Sequence, residues 1–379
     1  MKIGLFTDTY HPDVNGVVIS VDYSVNQFKK LGHEVYVVAP SIKGVLDDPK
    51  HVFRIPAIEV YSKYDIRASF PLPNKDVRNL LNIDFDIIHA HSCGTVGFFG
   101  YQLAKIRRVP YVFTYHTLFS EYVSHIFGGK LLTPKMVRWF SKFYCNLCDV
   151  VVAPSEKIET LLKKWEIEKP IHIVYTCVDL NRFTEGKTNY LFEKGYVLEE
   201  DVVLLYVGRL SKEKNVGFLI EAFAKVAKRV DRAKLVVVGN GTERENLEKV
   251  VLELGLSKRV VFTGIIPNSQ LEKVYKSSHI FVMASLTEVH PRVVIEAVAC
   301  GLPCVVVKDV SNQSIVVNGT NGFSVKHSLD KFSDACVKLC TDAPLRKRMG
   351  QNGRKLAEQK FSQTKQAKTL LTIYKALIG

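Results

Sequence analysis

VVLLYVGRLSKEKN, residues 202–215, decides the fold. The run 202–208 is apolar on both faces and rich in Val, the pattern of a strand buried within a parallel sheet. It breaks at Gly208 into a basic loop carrying Arg209 and Lys214, and an amphipathic stretch follows. Downstream the unit recurs at KLVVVG (234–239), VVFTG (260–264), IFVMAS (280–285) and PCVVV (303–307). Upstream it recurs at KIGLFT (2–7), VYVVAP (35–40), DIIHAH (86–91), YVFTYH (111–116), VVVAPS (150–155) and IHIVYT (171–176). The helical pattern after the first run stops at Leu31-Gly32, where Gly takes the left-handed position. A polar stretch at 183–200 separates the two arrays. Strands alternating with helices on either side of one polar segment give an α/β chain of two Rossmann-like domains facing across a cleft. The expected domains are 1–185 and 198–361, with the terminal helix 362–379 crossing back onto the first.

Composition limits the functions. At about 150 residues per domain, 379 residues make two to three domains. With 47% hydrophobic and 24% charged residues, disordered and collagen-like classes are excluded. No apolar run approaches the ~18 residues of a membrane span. MKIGLFTDTY turns polar too early for a signal peptide, so a cytoplasmic protein is expected. Lys and Arg total 52 against 38 acidic residues, a formal charge of +14 that draws anions. With no nucleic-acid motif and no stacking platform, nucleic acid is set aside in favour of phosphorylated small molecules or anionic lipid. The eight cysteines lie in apolar or helical stretches. Even the C-x-x-C of Cys145 and Cys148 reads as core-facing thiols in a reducing compartment, and no metal site is expected.

In an open parallel sheet, ligands gather at the carboxyl ends of strands. After the first strand, Asn15-Gly16 opens a helix whose N–H groups and dipole suit a phosphate, although most Asn-Gly pairs are simply turns. Arg209 and Lys214 share one loop and could hold a diphosphate, or be a solvated basic loop. Glu288 sits at a helix entrance and Glu296 lies two turns further in. Buried carboxylates need partners, and sugar or ribose hydroxyls serve. His116 ends its strand, where a histidine is more often structural than catalytic. His89 and His91 read as packing or hydrogen-bonding residues, one directed into each helix layer.

Together these pieces resemble the retaining, nucleotide-sugar-dependent glycosyltransferases of GT-B fold, of the glycosyl transferases group 1 type. The likeness runs the whole length of the chain. Its motifs are the Asn15-Gly16 loop, G-R-L-x-x-x-K at 208–214, V-G-N-G-T-E at 238–243, and Glu288 and Glu296 leading into E-A-V-A-C-G-L-P at 296–303. The resemblance implies that Gly16 offers its amide to the donor phosphate and that Arg209 and Lys214 grip the diphosphate. Backbone around Ile266 reads the base, Glu296 bonds the ribose, Glu288 holds the transferred sugar, and His116 contacts that sugar near the reacting carbon. It also implies a metal-independent hexosyltransferase that uses no cofactor beyond its nucleotide-sugar donor. One departure stands out. Glu288-Val289-His290-Pro291-Arg292 replaces the usual Gly after the first Glu, and Pro291 has no N–H to give.

Within this group the first half is most similar to bacterial diacylglycerol glucosyltransferases. The matching stretches are G-L-F-T-D-T-Y-x-P (4–12), G-V-x-x-S (16–20), T-Y-H-T…Y-V-S-H-I-F-G-G-K (114–130), L-L-T-P-K-M-V (131–137) and A-P-S-E (153–156). The expected function is transfer of a hexose, glucose by this likeness, from a UDP-sugar to 1,2-diacylglycerol on the inner face of the cell membrane. Thr133-Pro134 caps a helix on which Lys135, Arg138 and Lys142 form a basic stripe beside Trp139 and Phe143. Such a helix can rest on an anionic bilayer, or be a core helix with a solvated face. The alternatives are a phosphoinositol, polyprenol-linked or soluble sugar acceptor, and a non-catalytic binding protein of the same fold.

Overall fold

The computed structural model describes residues 1–13, 15–45, 48, 50–61, 66–116 and 133–379. The Y-V-S-H-I-F-G-G-K match at 122–130 and the Leu-Leu before Thr133 lie outside these residues. The chain divides into two units, Met1–Thr176 with Gln363–Gly379, and Cys177–Ser362.

The first unit holds β1 (Lys2–Phe6), β2 (Glu34–Pro40), β3 (Val52–Ile55), β4 (Ala57–Tyr61), β5 (Ile66–Ser69), β6 (Ile87–Ala90), β7 (Tyr111–Thr114), β8 (Val150–Ala153) and β9 (Ile171–Ile173). Seven of them form a sheet in the order β3-β2-β1-β6-β7-β8-β9, while β4 and β5 pair apart as an antiparallel hairpin. Every pairing in the seven-stranded sheet is parallel, which requires helical crossovers and buries both faces. The helix Gly16–Lys30 starts because Asn15 accepts hydrogen bonds from the N–H groups of Val17 and Val18, both at 3.0 Å. It stops where Gly32 adopts φ +82°. Its buried Val18, Val21 and Phe28 share one core with Leu370, Leu371, Ile373 and Tyr374 of the C-terminal helix Gln363–Ile378.

The second unit holds β10 (Val202–Val207), β11 (Ala233–Val238), β12 (Val260–Gly264), β13 (Ile280–Met283), β14 (Cys304–Val307) and β15 (Gly322–Val325) in the order β12-β11-β10-β13-β14-β15, again parallel throughout. It begins at Cys177, earlier than the sequence reading put it, because the polar segment is tied down. Arg182 pairs with Glu272 at 3.2 Å, Tyr190 donates to Gln270 at 2.6 Å, and the Phe183 ring meets Tyr275. In each sheet the strand order reverses once, between β1 and β6 and between β10 and β13. Ligands of open α/β sheets sit at the carboxyl ends of the strands flanking such a reversal.

Candidate functional site

In the second unit the loops leaving β10 and β13 meet at the reversal. Lys214 ends a short 3₁₀ turn, Lys212–Lys214, and its Nζ lies 2.6 Å from Glu288 Oε1 in the β13 loop. Both side chains are only about a fifth exposed (20% and 18%), so the pair is partly screened from water. Arg209 stands exposed earlier on the same loop. Asn215 follows with φ +55°, and its Nδ2 reaches the Ala284 carbonyl and His327. The loop rests on V-G-N-G-T-E. The Leu210 N–H donates to Asn240 O at 3.0 Å, and the Glu243 N–H donates to Leu210 O at 2.9 Å. A Cβ on Gly239, at φ +132°, would fall 1.9 Å from Gly208 O, and one on Gly241 2.2 Å from Leu210 O. Those two glycines let backbone touch backbone, so this motif seats the basic loop.

Glu288 lies ahead of the helix Arg292–Ala299, which starts only after Pro291. Pro291 occupies the cap position, where a missing N–H leaves no gap in the helix ladder. Glu296 is on the helix and 5% exposed. Its Oε2 accepts from the Tyr275 hydroxyl at 2.9 Å, and no other side-chain hydrogen bond to it is found among the described residues. Burial pushes its carboxyl up, countered first by the Arg292 charge and then by Tyr275 and Arg182. Arg292, the feature that departs from the family pattern, thus sits one helical turn before Glu296 and compensates its charge. Sequence reasoning missed Tyr275, because nothing in LEKVYK signals that its hydroxyl reaches another helix. Ile266 is buried just past β12, beside the 76%-exposed Ile265. Lys214 and Glu288 are therefore brought together, and Glu296 has a separate set of partners.

In the first unit, Gly16 is exposed at the first helical position with open space where a Cβ would be. Strand β7 ends at Thr114, and His116 follows it, with its Nε2 2.9 Å from His91 Nδ1. The expectation that His89 and His91 enter different helix layers is corrected. Their rings stack with centroids 4.4 Å apart, since side chains two apart along an extended segment share a face. On the helix Pro134–Leu147, Thr133 accepts from the Met136 N–H at 3.3 Å. Lys135 is exposed, while Arg138 and Lys142 both lie beside Glu166, at 3.1 and 3.7 Å. Trp139 is 69% exposed and stacks on the half-exposed Phe143, with Met136 and Phe140 also facing solvent. Cys145 and Cys148 are fully buried, and burial pushes the Cys145 thiol up to about 12 and Cys148 in the same direction. Among the described residues no helix is long and apolar enough to cross a membrane.

Two α/β units, each built on a parallel sheet with one strand-order reversal, have the architecture of the GT-B fold, and the family and relatives that the chain matches make it a glycosyltransferase. The chain belongs to the glycosyl transferases group 1 family: the model of that description matches residues 190–356, and Glycosyltransferase Family 4 matches 14–182. An alpha-monoglucosyldiacylglycerol synthase of Streptococcus pneumoniae is 32% identical over 311 residues, covering 80% of this chain and 70% of that protein. The enzyme of that name from Acholeplasma laidlawii is 28% identical over 338 residues, covering 85% and 84%. Among solved structures, Anabaena HepE in complex with UDP and glucose superposes with a TM-score of 0.78 at 19% identity, over 100% of both chains. Sucrose-phosphate synthase from Thermosynechococcus elongatus gives 0.78 at 19% identity over 99% and 98%.

Proposed function

We propose that this protein transfers glucose from UDP-glucose to the free hydroxyl of diacylglycerol at an anionic membrane surface, with retention of anomeric configuration. The observation that carries the lipid acceptor is the outer face of helix Pro134–Leu147, where Trp139, Phe143, Met136 and Phe140 stand exposed beside Lys135. Exposed aromatics with cations are the composition of a helix that beds into the headgroup layer. The +14 charge and the two synthase relatives agree with that reading. In the reaction the bond from the anomeric carbon to the diphosphate breaks and a bond to the acceptor oxygen forms. The acceptor's proton passes to the departing diphosphate.

Arg209 and Lys214 are the proposed cations for the diphosphate, and their charge takes the place of a metal. Diphosphate and sugar hydroxyls compete for the two members of the Lys214–Glu288 pair, so donor binding would free Glu288 to hold the sugar. Glu296 offers its remaining oxygen to ribose, and backbone near Ile266 meets the base. His116 and the Gly16 amide are the first unit's proposed ligand groups. Attachment to the membrane is peripheral.

The test is nucleotide release from UDP-glucose, UDP-galactose, ADP-glucose and GDP-mannose, with and without diacylglycerol in anionic mixed micelles. Release from UDP-glucose that rises sharply with the lipid is expected. Slow hydrolysis of one donor with no response to lipid would redirect the acceptor to a soluble or other lipid-linked one. Lys214→Ala should lower turnover by about 100-fold, and an unchanged rate would remove Lys214 from the donor site.

A further inference from the structure

Three imidazole rings form a column in the first unit. His89 and His91 stack at 4.4 Å with 29° between planes, and His91 and His116 stack at 5.2 Å with 18°. We propose that His91 is a positioning residue for His116, fixing the plane and the tautomer in which that ring is presented. This rests on the reading of His116 as a ligand group.

The hydrogen bonds of His91 point to that role. Its contact with His116 at 2.9 Å is the only side-chain hydrogen bond that His91 makes among the described residues. Its Nε2 is buried and finds no protein partner among them. A polar ring atom buried without a partner is destabilising, and an apolar ring of similar size would fill the space without that cost. The inner end of the column is clamped. His89 is held through Nδ1 by the Tyr374 hydroxyl and through Nε2 by Thr114 Oγ1 at 2.7 Å. Against His91 and His116 lies a void of about 10 Å³, lined also by Ser20, Ser24, Thr114 and Gln366, too small for the buried His91 ring to turn over in. Burial holds His91 neutral, well below its ordinary range. One nitrogen of the 2.9 Å contact therefore carries the hydrogen and the other accepts it, so the tautomer of His116 is coupled to that of His91.

The test is nitrogen-15 NMR of histidine side chains in the full chain, with His116→Ala assigning the resonance, alongside transfer kinetics. The wild type is expected to show His116 in one tautomer. His91→Phe keeps a stacking ring but no nitrogen. It should mix the tautomers and lower kcat about tenfold with little change in donor KM. His91→Asn, whose amide can stand in for Nδ1, should restore both. Should His91→Phe fail to fold, as judged by thermal melting, His91→Gln replaces it as the variant whose amide misses the Nδ1 position. An unchanged His116 spectrum in the folded variant overturns the proposal. Full transfer activity in His116→Ala would instead overturn the reading of His116, and the spectra would still decide whether His91 holds it.

Discussion

His290 lies in the stretch that departs from the family pattern, and its ring is buried 5.6 Å from Phe361 with Nε2 3.4 Å from Ser314 Oγ. Burial lowers it from 6.5 to about 3. Below pH 6.5 the unfolded chain takes up a proton that the native ring refuses, so His290 removes stability as pH falls from 6.5 toward 3. Within that window the loss is about 1.4 kcal/mol per pH unit. His290→Phe should flatten the pH dependence by that amount, because the raised carboxyl of Glu296 is common to both proteins and cancels in the difference. Urea unfolding at pH 7, 6 and 5 measures it, and equal slopes in the two proteins would discard the buried titration. At this scale the sequence named Lys214, Glu288 and Glu296 but not their arrangement. Glu288 and Glu296 look like one pair in sequence, yet one faces Lys214 and the other Tyr275. The hydroxyl of Tyr275 crosses between helices, and no local pattern encodes that.

Elements explain why the motifs have their spacing. Gly208 and Gly239 follow neighbouring parallel strands, and the backbone of Gly208 approaches so closely that position 239 could not carry a side chain. Gly239→Ala combines a clash at 1.9 Å with a backbone angle that side chains avoid. It should cost at least about 1–3 kcal/mol and weaken donor binding by shifting the Lys214 loop. Thermal melting together with UDP titration checks this, and wild-type values for both would show that the loop is seated by other contacts. The helix Pro134–Leu147 permits a cleaner separation of fold from function. Trp139→Ala with Phe143→Ala removes exposed surface, so melting should hold within about 0.5 kcal/mol while co-sedimentation with anionic vesicles falls. Raising salt should weaken what binding remains. Unchanged co-sedimentation would return this helix to an ordinary solvated face. Its sequence made the stripe legible, but not that Glu166 engages Arg138 and Lys142. That contact depends on where the following helix ends.

At the scale of the whole molecule, the last helix belongs to the first unit. Leu370, Leu371, Ile373 and Tyr374 are all buried in the core that β1, β2 and helix Gly16–Lys30 build. Each such side chain is worth about 1.5–3 kcal/mol, and four together rival the ordinary stability margin of a domain, about 5–15 kcal/mol. A chain ending at residue 362 should therefore lose cooperative melting of the first unit and keep that of the second. Calorimetry with limited proteolysis distinguishes the units, and an intact first unit would show that the helix only covers its surface. The sequence by itself determined the α/β class, the two strand–helix arrays and the loops that carry charge. Those follow from apolar period, glycine stops and helix caps, all read within a few residues. Only the tertiary structure decided which charges meet, that the histidines form one column, and where the units divide. Those depend on strand order and on packing between residues far apart in the chain, which local pattern does not contain.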